Sequence, residues 1–473
     1  MVDSKNYKKR YNELRAYAED LTKHLNEILH GHIHIKSLHI DYDFPQEVVS
    51  YHHWRNRIYI FIAASLIGVF AVLFARSSDG SYHIFRKLYE YNQFAPLIVT
   101  PLGLVIVRWL TTHVFKGAEG SGIPQVIASM GQRLLSPKLL SFSSGLGKLI
   151  GTNLALLSGA SVGREGPTVQ LSAVIIRYFS FLLRAPVIYT ERSLILAGGA
   201  AGISAAFNTP IAGVVFAIEE LGKSFYEQET SVLLMAIVVA GLAALSLSGP
   251  YFYFGLNNDS ITGWAQLYAI PIGILSGLYG GAFCWLLLKG VQYMKALPAK
   301  KAYGMTFLFG LIIAGIGIIT HGATFGSGYE SAKALLNGEA LPQGFHFLGD
   351  GLYSLFKFIS TLLSYLTGTP GGIFSPTLSI GAGVGHWFVT FFHLPHSSAF
   401  ILCGMVAFFS GVIRSPITAV IIVSEMTGNH TILLSLLLSS LVAYASSKLI
   451  APKSLYHALA EGYLSEKKTE HEV

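Results

Sequence analysis

The sequence contains few charged residues. Only 12% of its 473 residues are Asp, Glu, Lys or Arg, whereas 52% are hydrophobic. A soluble domain carries about 25% charged residues, so this chain has too few to cover a surface that faces water. This scarcity excludes intrinsic disorder, a coiled coil and most soluble enzymes, and it predicts an integral membrane protein embedded in a lipid bilayer.

Cysteine is also scarce. The two thiols, Cys284 and Cys403, both lie in apolar runs, which predicts buried, inert side chains and argues against a disulfide framework or a metal site. The net charge of +7 does not indicate a nucleic-acid partner, because the basic residues cluster near the chain ends and beside apolar runs. Positively charged cytoplasmic segments are the better interpretation.

The N-terminal segment, residues 1–57, has nine Lys or Arg residues, no spanning run and none of the features of a signal peptide. We therefore place it in the cytoplasm. Apolar residues at helical spacing predict one amphipathic helix at or under the membrane: Leu14, Tyr17, Leu21, Leu25 and Ile28. The alternating histidines that follow indicate either a solvated strand or loop, or metal binding or pH sensing: His30, His32, His34 and His39.

The uncharged apolar runs have unequal lengths. Residues 58–75 could form a simple spanning helix, because about 20 residues cross the hydrocarbon core. The runs 94–107 and 151–163 are too short, and several others are long or interrupted by Gly and Pro: 193–218, 260–288, 358–385 and 397–413. Helices that end inside the membrane are typical of a transporter's binding site.

An internal repeat supports this interpretation. Gly163-Arg164-Glu165-Gly166-Pro167 and Gly372-Ile373-Phe374-Ser375-Pro376 share the form G-x-x-x-P at an offset of 209 residues. A second pair, Pro210 with Glu219 and Pro416 with Glu425, repeats at an offset of 206 residues. We therefore predict an all-α protein with two homologous membrane halves, 58–250 and 260–447, followed by a polar tail, 448–473. The repeat leaves open whether the halves are parallel or inverted.

Gly120-Ser121-Gly122-Ile123-Pro124 predicts the start of a helix. Glycines permit a close approach of the backbone, and a proline suits the first helical turn. A helix that begins here would point its free N–H groups and positive dipole end at a cavity, which is an arrangement that binds anions. The hydroxyl of Ser121 could add a further donor.

The segment 163–167 places two ionisable residues, Arg164 and Glu165, in an apolar region. One interpretation is a structural Arg–Glu pair; the other is functional, because such residues mark sites inside membranes. At a helix N-terminus, Glu165 would occupy the position of a bound anion when charged and leave it when protonated, which couples the anion to a proton. The repeat partner, 371–376, predicts a second helix N-terminus facing the same cavity.

Glu219 and Glu220 end a run of uncharged residues, 193–218. Adjacent acids at this position indicate either a helix end at the membrane interface or a proton acceptor on the cytoplasmic side. For Glu425, the repeat mate of Glu219, we expect a role in helix packing or capping.

These residues closely resemble the CLC family of chloride channels and chloride/proton antiporters. The resemblance covers about residues 58–460 and rests on five ordered motifs: GSGIP at 120–124, GREGP at 163–167, AAFNTPIAGVVFAIEE at 205–220, GGIFSP at 371–376 and PITAVIIVSEMTG at 416–428.

The resemblance implies a role for individual residues. Ser121, Tyr456 and the amides of Ile373 and Phe374 would bind the central chloride, with Gly120 and Gly122 shaping the loop. Glu165 would be the external gate and proton carrier. Glu220 would be the internal proton-transfer residue, with Glu219 beside it on that route. The remaining residues would shape the site: Gly163, Arg164, Gly166, Pro167, Gly372 and Pro376.

The resemblance also implies two inverted repeats of tilted, often broken helices, and a homodimer in which each subunit has its own pathway. The chain stops at residue 473 without the paired regulatory nucleotide-binding domains of eukaryotic members, which suggests a prokaryotic protein. We expect a multi-pass protein of the inner membrane with both termini in the cytoplasm, no metal, and no cofactor other than bound chloride ions.

The function that follows is exchange of chloride for protons, which is transport rather than enzymatic catalysis. Glu220 favours an antiporter, since family channels tend to carry valine there. The alternatives are a chloride channel of the same fold, or an antiporter for nitrate or fluoride, whose members carry Pro or Met, respectively, where Ser121 stands.

An intramembrane protease is disfavoured, because Gly349-Asp350-Gly351 lacks a second membrane aspartate and Ser158-Gly159-Ala160-Ser161 lacks a histidine partner in a neighbouring run.

Overall fold

The computed structural model describes residues 51–132, 135–180, 190–222, 230–249, 252–339, 341, 351–394 and 397–470. The chain divides into two units, Met1–Trp54 and Arg55–Val473. The predicted amphipathic helix and the histidines at 30–39 lie outside the described residues. In the described ranges, the regular secondary structure is helical apart from two isolated β-bridges.

The helices before residue 250 are α1 (Tyr51–Tyr91), α2 (Pro96–Trp109), α3 (Ile123–Gly131), α4 (Ser136–Leu139), α5 (Phe142–Leu157), α6 (Glu165–Ser180), α7 (Glu191–Phe207), α8 (Pro210–Phe216) and α9 (Thr230–Ser248). Two of them continue as π-helical turns, α2 into Leu110–Val114 and α8 into Ala217–Leu221.

The later helices are α10 (Ala269–Ala296), which a 3₁₀ turn at Gly263–Tyr268 precedes, α11 (Ala299–Ile319), α12 (Tyr329–Leu336), α13 (Gly351–Leu366), α14 (Phe374–Phe392), α15 (Ser397–Ile413), α16 (Pro416–Thr427), α17 (Leu433–Ser447) and α18 (Leu455–Glu470).

Four helical stretches of the described chain are long and apolar enough to cross a membrane: Trp54–Tyr91, Pro96–Val114, Gly263–Ala296 and Ala299–Ile319. The run at 94–107 is therefore part of a longer helix than the sequence predicted. The helix continues past Arg108. The guanidinium of this residue donates to the backbone carbonyl of Thr367 at 2.8 Å, so the charged group has a hydrogen-bond acceptor inside the protein.

Helix α15 lies at the centre of the packed helices. Its residues from Ala399 to Ile413 are almost entirely buried, as expected for a helix that is apolar on every side. It packs against α14, α10 and α17. The α14–α15 contact uses small residues: a Cβ added at Gly404 would lie 2.6 Å from the carbonyl oxygen of Gly381. Such close backbone approach is typical of helix pairs in membranes.

Two reciprocal helix caps join the two halves of the chain. Glu425 of α16 accepts from the Ala212 amide of α8 at 2.7 Å, as well as from the preceding amide. Glu219, in the π-helical turn that follows α8, accepts from the Thr418 amide of α16 at 2.6 Å and again from the preceding amide. Glu425 therefore caps a helix, as predicted. Glu219 does the same in the opposite direction, which the sequence analysis did not predict.

Candidate functional site: an anion and proton pathway

The three glycine loops meet at one point in the structure. The amide of Gly120 donates to the Thr369 carbonyl at 3.2 Å, and the amide of Gly371 donates back to Gly120 at 3.0 Å. Gly163 and Gly372 exchange two hydrogen bonds of 2.6 Å in an antiparallel bridge. Helices α3, α6 and α14 therefore begin side by side, with their electropositive ends close together.

The approach of these loops is too close for larger side chains. A Cβ at Gly166 would lie 2.4 Å from the Ser121 hydroxyl, and a Cβ at Gly372 would lie 3.0 Å from the Gly166 amide. The glycines at 166 and 372 are therefore required to bring the start of α6 against the loop of Ser121 and against the start of α14. Pro167 and Pro376 occupy the first turns of these two helices, where a missing N–H has no cost.

Two hydroxyl groups point into the site without a hydrogen-bond partner among the described residues. They belong to Ser121 and Tyr456, and both side chains are fully buried. The Tyr456 hydroxyl lies next to that of Ser121 and within electrostatic range of Glu220 and Glu165. A buried hydroxyl without a partner is costly, so it indicates a ligand that accepts hydrogen bonds.

Backbone donors complete the site. Ile373 and Phe374, at the start of α14, are fully buried, and the first amides of a helix have no partner within it. The Phe374 ring packs against Phe409 and Phe207, with ring centroids 4.3 and 4.8 Å away. The donor set therefore consists of neutral dipoles surrounded by apolar rings, which suits a partly dehydrated monovalent anion.

A buried amino group supports the Ser121 loop from behind. Lys148 of α5 is fully buried and donates to the carbonyls of Gly120 at 2.8 Å and Glu119 at 3.1 Å. Because these carbonyls are held by the lysine, the loop keeps its negative dipole ends away from the hydroxyl of Ser121. The lysine thus orients the loop without a direct contact to the hydroxyl groups.

Glu165 lies at the junction of the three loops. It is the first residue of α6 and is 1% exposed. Its Oε1 accepts from the Ser375 hydroxyl at 2.6 Å and from the Tyr253 hydroxyl at 3.3 Å. Its Oε2 is buried without a partner among the described residues. The carboxylate therefore lies at the start of α14, where it would compete with an anion for the same donors.

Arg164 has its hydrogen-bond and ion-pair partners on α1. Its guanidinium donates to the Ala75 carbonyl at 2.7 Å and forms an ion pair with Asp79 of α1. The interpretation of Arg164 and Glu165 as a structural pair is therefore not the arrangement seen. Arg164 and Tyr253 line a cavity of about 710 Å³ that also borders α1 and the loop before α12. The cavity therefore reaches Tyr253, whose hydroxyl donates to Glu165.

Glu220 is the second buried carboxylate within electrostatic range of the Tyr456 hydroxyl. It belongs to the π-helical turn after α8 and is 1% exposed. Its Oε2 accepts from the Ser415 hydroxyl at 2.5 Å, and its Oε1 lies 3.8 Å from Nε2 of His457. Glu219, the adjacent residue, is engaged with the α16 amides described above. The structure thus places Glu220 beside the site and Glu219 on a helix cap.

A family model described as "Voltage gated chloride channel" matches residues 102–448, which is well over half of the chain. The chain belongs to the CLC family. The prediction made from the five motifs is therefore confirmed, and the protein is a multi-pass membrane protein of this family.

Curated CLC relatives cover most of the chain. The H(+)/Cl(-) exchange transporter ClcA of Vibrio cholerae serotype O1 is 28% identical over 452 residues, which span 86% of this chain and 90% of the relative. The transporter of the same name from Salmonella paratyphi A is 28% identical over 395 residues, which span 79% and 80% of the two chains.

Solved CLC structures have the same fold. A slow cyanobacterial Cl-/H+ antiporter superposes with a TM-score of 0.78 at 26% identity, covering 88% of this chain and 99% of the other. A CLC-type fluoride/proton antiporter superposes with a TM-score of 0.71 at 23% identity, covering 87% and 99%. The predicted fold, an all-α membrane protein of two inverted repeats with broken helices, is confirmed at this level.

Several functional candidates in this CLC chain were missed by the sequence analysis. Ser375 lies inside the GGIFSP motif, yet its contact with Glu165 depends on how α14 faces α6. Tyr253 and His457 lie outside the motifs that were assigned a site. Lys148 was not assigned a role, although it is a charged residue close to the apolar run 151–163. The signal for Lys148 was its repeat mate, Lys357, at the same offset of 209 residues that relates Gly163 to Gly372.

Proposed function

We propose that this CLC protein is a secondary active transporter that exchanges chloride for protons. The observation that carries the proposal is the placement of two buried carboxylates, Glu165 and Glu220, within electrostatic range of the Tyr456 hydroxyl, which has no partner among the described residues. Two titratable groups near one anion site provide a path for protons that shares its centre with the path for chloride. The names of the ClcA relatives support the same conclusion.

In this proposal, chloride is held by the hydroxyls of Ser121 and Tyr456 and by the amides of Ile373 and Phe374. Fixed dipoles in a medium of low dielectric constant bind an anion well, yet without a full countercharge in contact the ion can still leave. Lys148 stabilises the Ser121 loop by donating to the carbonyls of that loop. The anion is left to the hydroxyl and amide donors. The transported ions are the only ligands that the site requires, and we propose transport without enzymatic chemistry.

The coupling follows from the position of Glu165. When it is ionised, its carboxylate takes the place of an anion at the start of α14 and accepts the hydrogen bond from Ser375. When Glu165 is protonated, it no longer carries the negative charge that favours this position, and chloride replaces it. Glu220 exchanges the proton on the cytoplasmic side, so that one anion movement is tied to one protonation event of Glu165.

The test is a measurement of the reversal potential with purified protein in a planar bilayer, under a chloride gradient and at a series of pH gradients. Coupled exchange predicts a reversal potential that departs from the chloride equilibrium potential and moves with the pH gradient. A potential that stays at the chloride value at every pH would identify a channel. Replacing chloride by nitrate or fluoride in the same bilayer distinguishes the antiporters for those anions.

We also propose that the protein is a homodimer that associates through α8, α9, α16 and α17. The N-terminal turns of α8 and α16 reach the protomer surface, where Ile211 is 61% and Ile417 is 50% exposed. Backbone at a helix start and half-buried cap carboxylates are poorly suited to lipid, because hydrocarbon cannot hydrogen-bond to them. A second copy would cover them. Counting subunits by stepwise photobleaching of labelled protein in lipid tests this proposal.

For the membrane, we propose an inner membrane with both chain termini in the cytoplasm. The basic residues of 1–57 and of the tail support this orientation through the positive-inside rule. It places Glu220 and Tyr456 on the cytoplasmic side of the anion site and the cavity that reaches Tyr253 on the opposite side. Labelling single cysteines in the two termini from either side of the membrane tests the orientation.

A further inference from the structure

We infer that His457 is a proton-transfer residue that carries protons between the cytoplasmic solution and Glu220. The inference rests on the proposed exchange of chloride for protons and adds a residue that the five motifs do not contain. Glu220 is 1% exposed and so has little direct access to water. The His457 side chain is 27% exposed, and it lies against Glu220. A group that contacts both solvent and the buried acid is the part that the proton route otherwise lacks.

The imidazole is held in place by the backbone of Glu220 itself. Nε2 of His457 lies 3.1 Å from the Glu220 carbonyl oxygen and 3.8 Å from Oε1 of the same residue. With a proton on Nε2, the ring donates to the carbonyl and keeps that proton beside the carboxylate. The second oxygen, Oε2, is engaged with Ser415 at 2.5 Å. A small rotation of the carboxylate closes the remaining distance, since hydrogen bonds of this kind often tighten only during turnover.

The transfer needs no other reactant than water. Nδ1 accepts a proton from a hydronium ion or a buffer, which gives the imidazolium ion. The Nε2–H bond then breaks and its proton forms an O–H bond with Oε1 of Glu220, which leaves a neutral imidazole with its proton on Nδ1. Exchange with water returns the proton to Nε2. Imidazole is suited to this step because its ordinary pKa of about 6.5 lies near neutral pH.

The other charged groups around α18 have partners away from the Glu220 carboxylate. Lys453, which precedes α18, forms an exposed ion pair with Glu461 of α18. Arg414 donates to the Pro452 carbonyl at 2.7 Å, and the amino group of Lys295 lies over the Tyr463 ring. Glu219 caps α16. Tyr456 and His457 are both titratable side chains of α18 near Glu220, but Tyr456 is fully buried. His457 is the one of the two that also reaches solvent.

The experiment compares variants in liposomes in which chloride-driven proton flux and chloride flux are recorded from the same vesicles. His457→Gln keeps a donor for the Glu220 carbonyl but cannot carry a proton. His457→Ala leaves room for an imidazole molecule from solution. Glu461→Gln is the matched control, because it removes a charge from the same helix face at an exposed ion pair, where such pairs contribute little.

We expect His457→Gln to lower the ratio of proton flux to chloride flux about tenfold or more, because a positioned acid–base group typically contributes at least that much. Adding imidazole to the cytoplasmic side should restore proton flux in His457→Ala in proportion to its concentration. Glu461→Gln should keep the ratio of the unmodified protein.

Two outcomes would overturn the inference. A normal ratio in His457→Gln shows that the proton bypasses the histidine. A low ratio in His457→Ala with a normal ratio in His457→Gln, and no response to imidazole, shows that the residue only positions Glu220. If the unmodified protein itself shows no chloride-driven proton flux, the proposed exchange fails, and the inference about His457 fails with it for a separately visible reason.

Discussion

The hydrogen bond from Ser375 to Glu165 should set how strongly the carboxylate competes with chloride. At 2.6 Å it is the shorter of the two hydrogen bonds to Oε1, and the bond from Tyr253 is 3.3 Å long. Ser375→Ala removes the short bond. It leaves the amides of α14 in place, and the residue is 2% exposed, so the change removes one oxygen atom from a packed position.

The magnitude follows from the charge of the acceptor. A hydrogen bond to an ionised group contributes about 1.5–3 kcal/mol, which is a factor of about 10 to 150 in the balance between the two occupants. At a pH at which Glu165 is ionised, Ser375→Ala should therefore lower the apparent Kd for chloride about tenfold or more. Tyr253→Phe, which removes the longer bond, should lower it less.

The assay is isothermal titration calorimetry of chloride into purified protein, performed as a double-mutant cycle with Glu165→Ala. Without a carboxylate at position 165, there is nothing for Ser375 to favour, so Ser375→Ala should then have no effect or weaken chloride binding slightly. An equal gain in affinity in both backgrounds would refute the reasoning, because it would mean that Ser375 acts on the anion without Glu165. An unchanged affinity in the single variant would also refute it.

Three further predictions concern the site and the caps. Glu165→Gln keeps an oxygen for Ser375 but cannot ionise, so chloride flux in liposomes should persist and become independent of external pH, while chloride-driven proton flux is lost; coupled proton movement in this variant would contradict the gating role. Ser121→Pro removes a hydroxyl donor and should raise the preference for nitrate over chloride in bilayer reversal potentials, and an unchanged preference would remove Ser121 from the anion site. Glu219→Ala and Glu425→Ala each remove two cap hydrogen bonds and should each destabilise the protein by about 1–2 kcal/mol, visible as similar decreases in Tm; a strong effect from only one of them would argue against equivalent caps.

The sequence was sufficient to predict which segments meet. Glycines at positions 166 and 372 allow contacts between loops that a Cβ would obstruct, and this requirement is visible in the residue types alone. The same holds for Glu165, because a carboxylate in an apolar membrane segment is energetically costly and therefore indicates a functional site. Such predictions depend only on the residue types within one short segment, and these can be read directly from the sequence.

Contacts that depend on how helices face one another could not be predicted in this way. Tyr253 reaches Glu165 across 88 residues of sequence, and His457 reaches Glu220 across 237. Buried cations were a second difficulty. Lys148 and Arg108 both interrupt apolar runs, yet both donate to backbone carbonyls inside the protein. A charge in a hydropathy pattern therefore marks the end of a helix only when the fold offers it no acceptor.

The repeat also shows why a loop alone does not make an anion site. Residues 326–328 repeat the sequence Gly-Ser-Gly of residues 120–122. The conformations agree, since φ is 66° at Gly120 and 65° at Gly326. A buried lysine holds each loop, because Lys357 donates to the Gly326 carbonyl at 2.8 Å, as Lys148 does to Gly120.

The two serines nevertheless have different surroundings. Ser327 is partly exposed and accepts a hydrogen bond from the backbone amide of Tyr329, whereas Ser121 is buried and its hydroxyl has no partner among the described residues. The difference comes from what covers each loop. The starts of α6 and α14 and the hydroxyl of Tyr456 converge on the first loop, while Ser327 and Gly328 of the second line the cavity that Arg164 and Tyr253 also line. Because the backbone and its lysine are the same in both, the converging donors, and not the glycine loop, determine where an anion is bound.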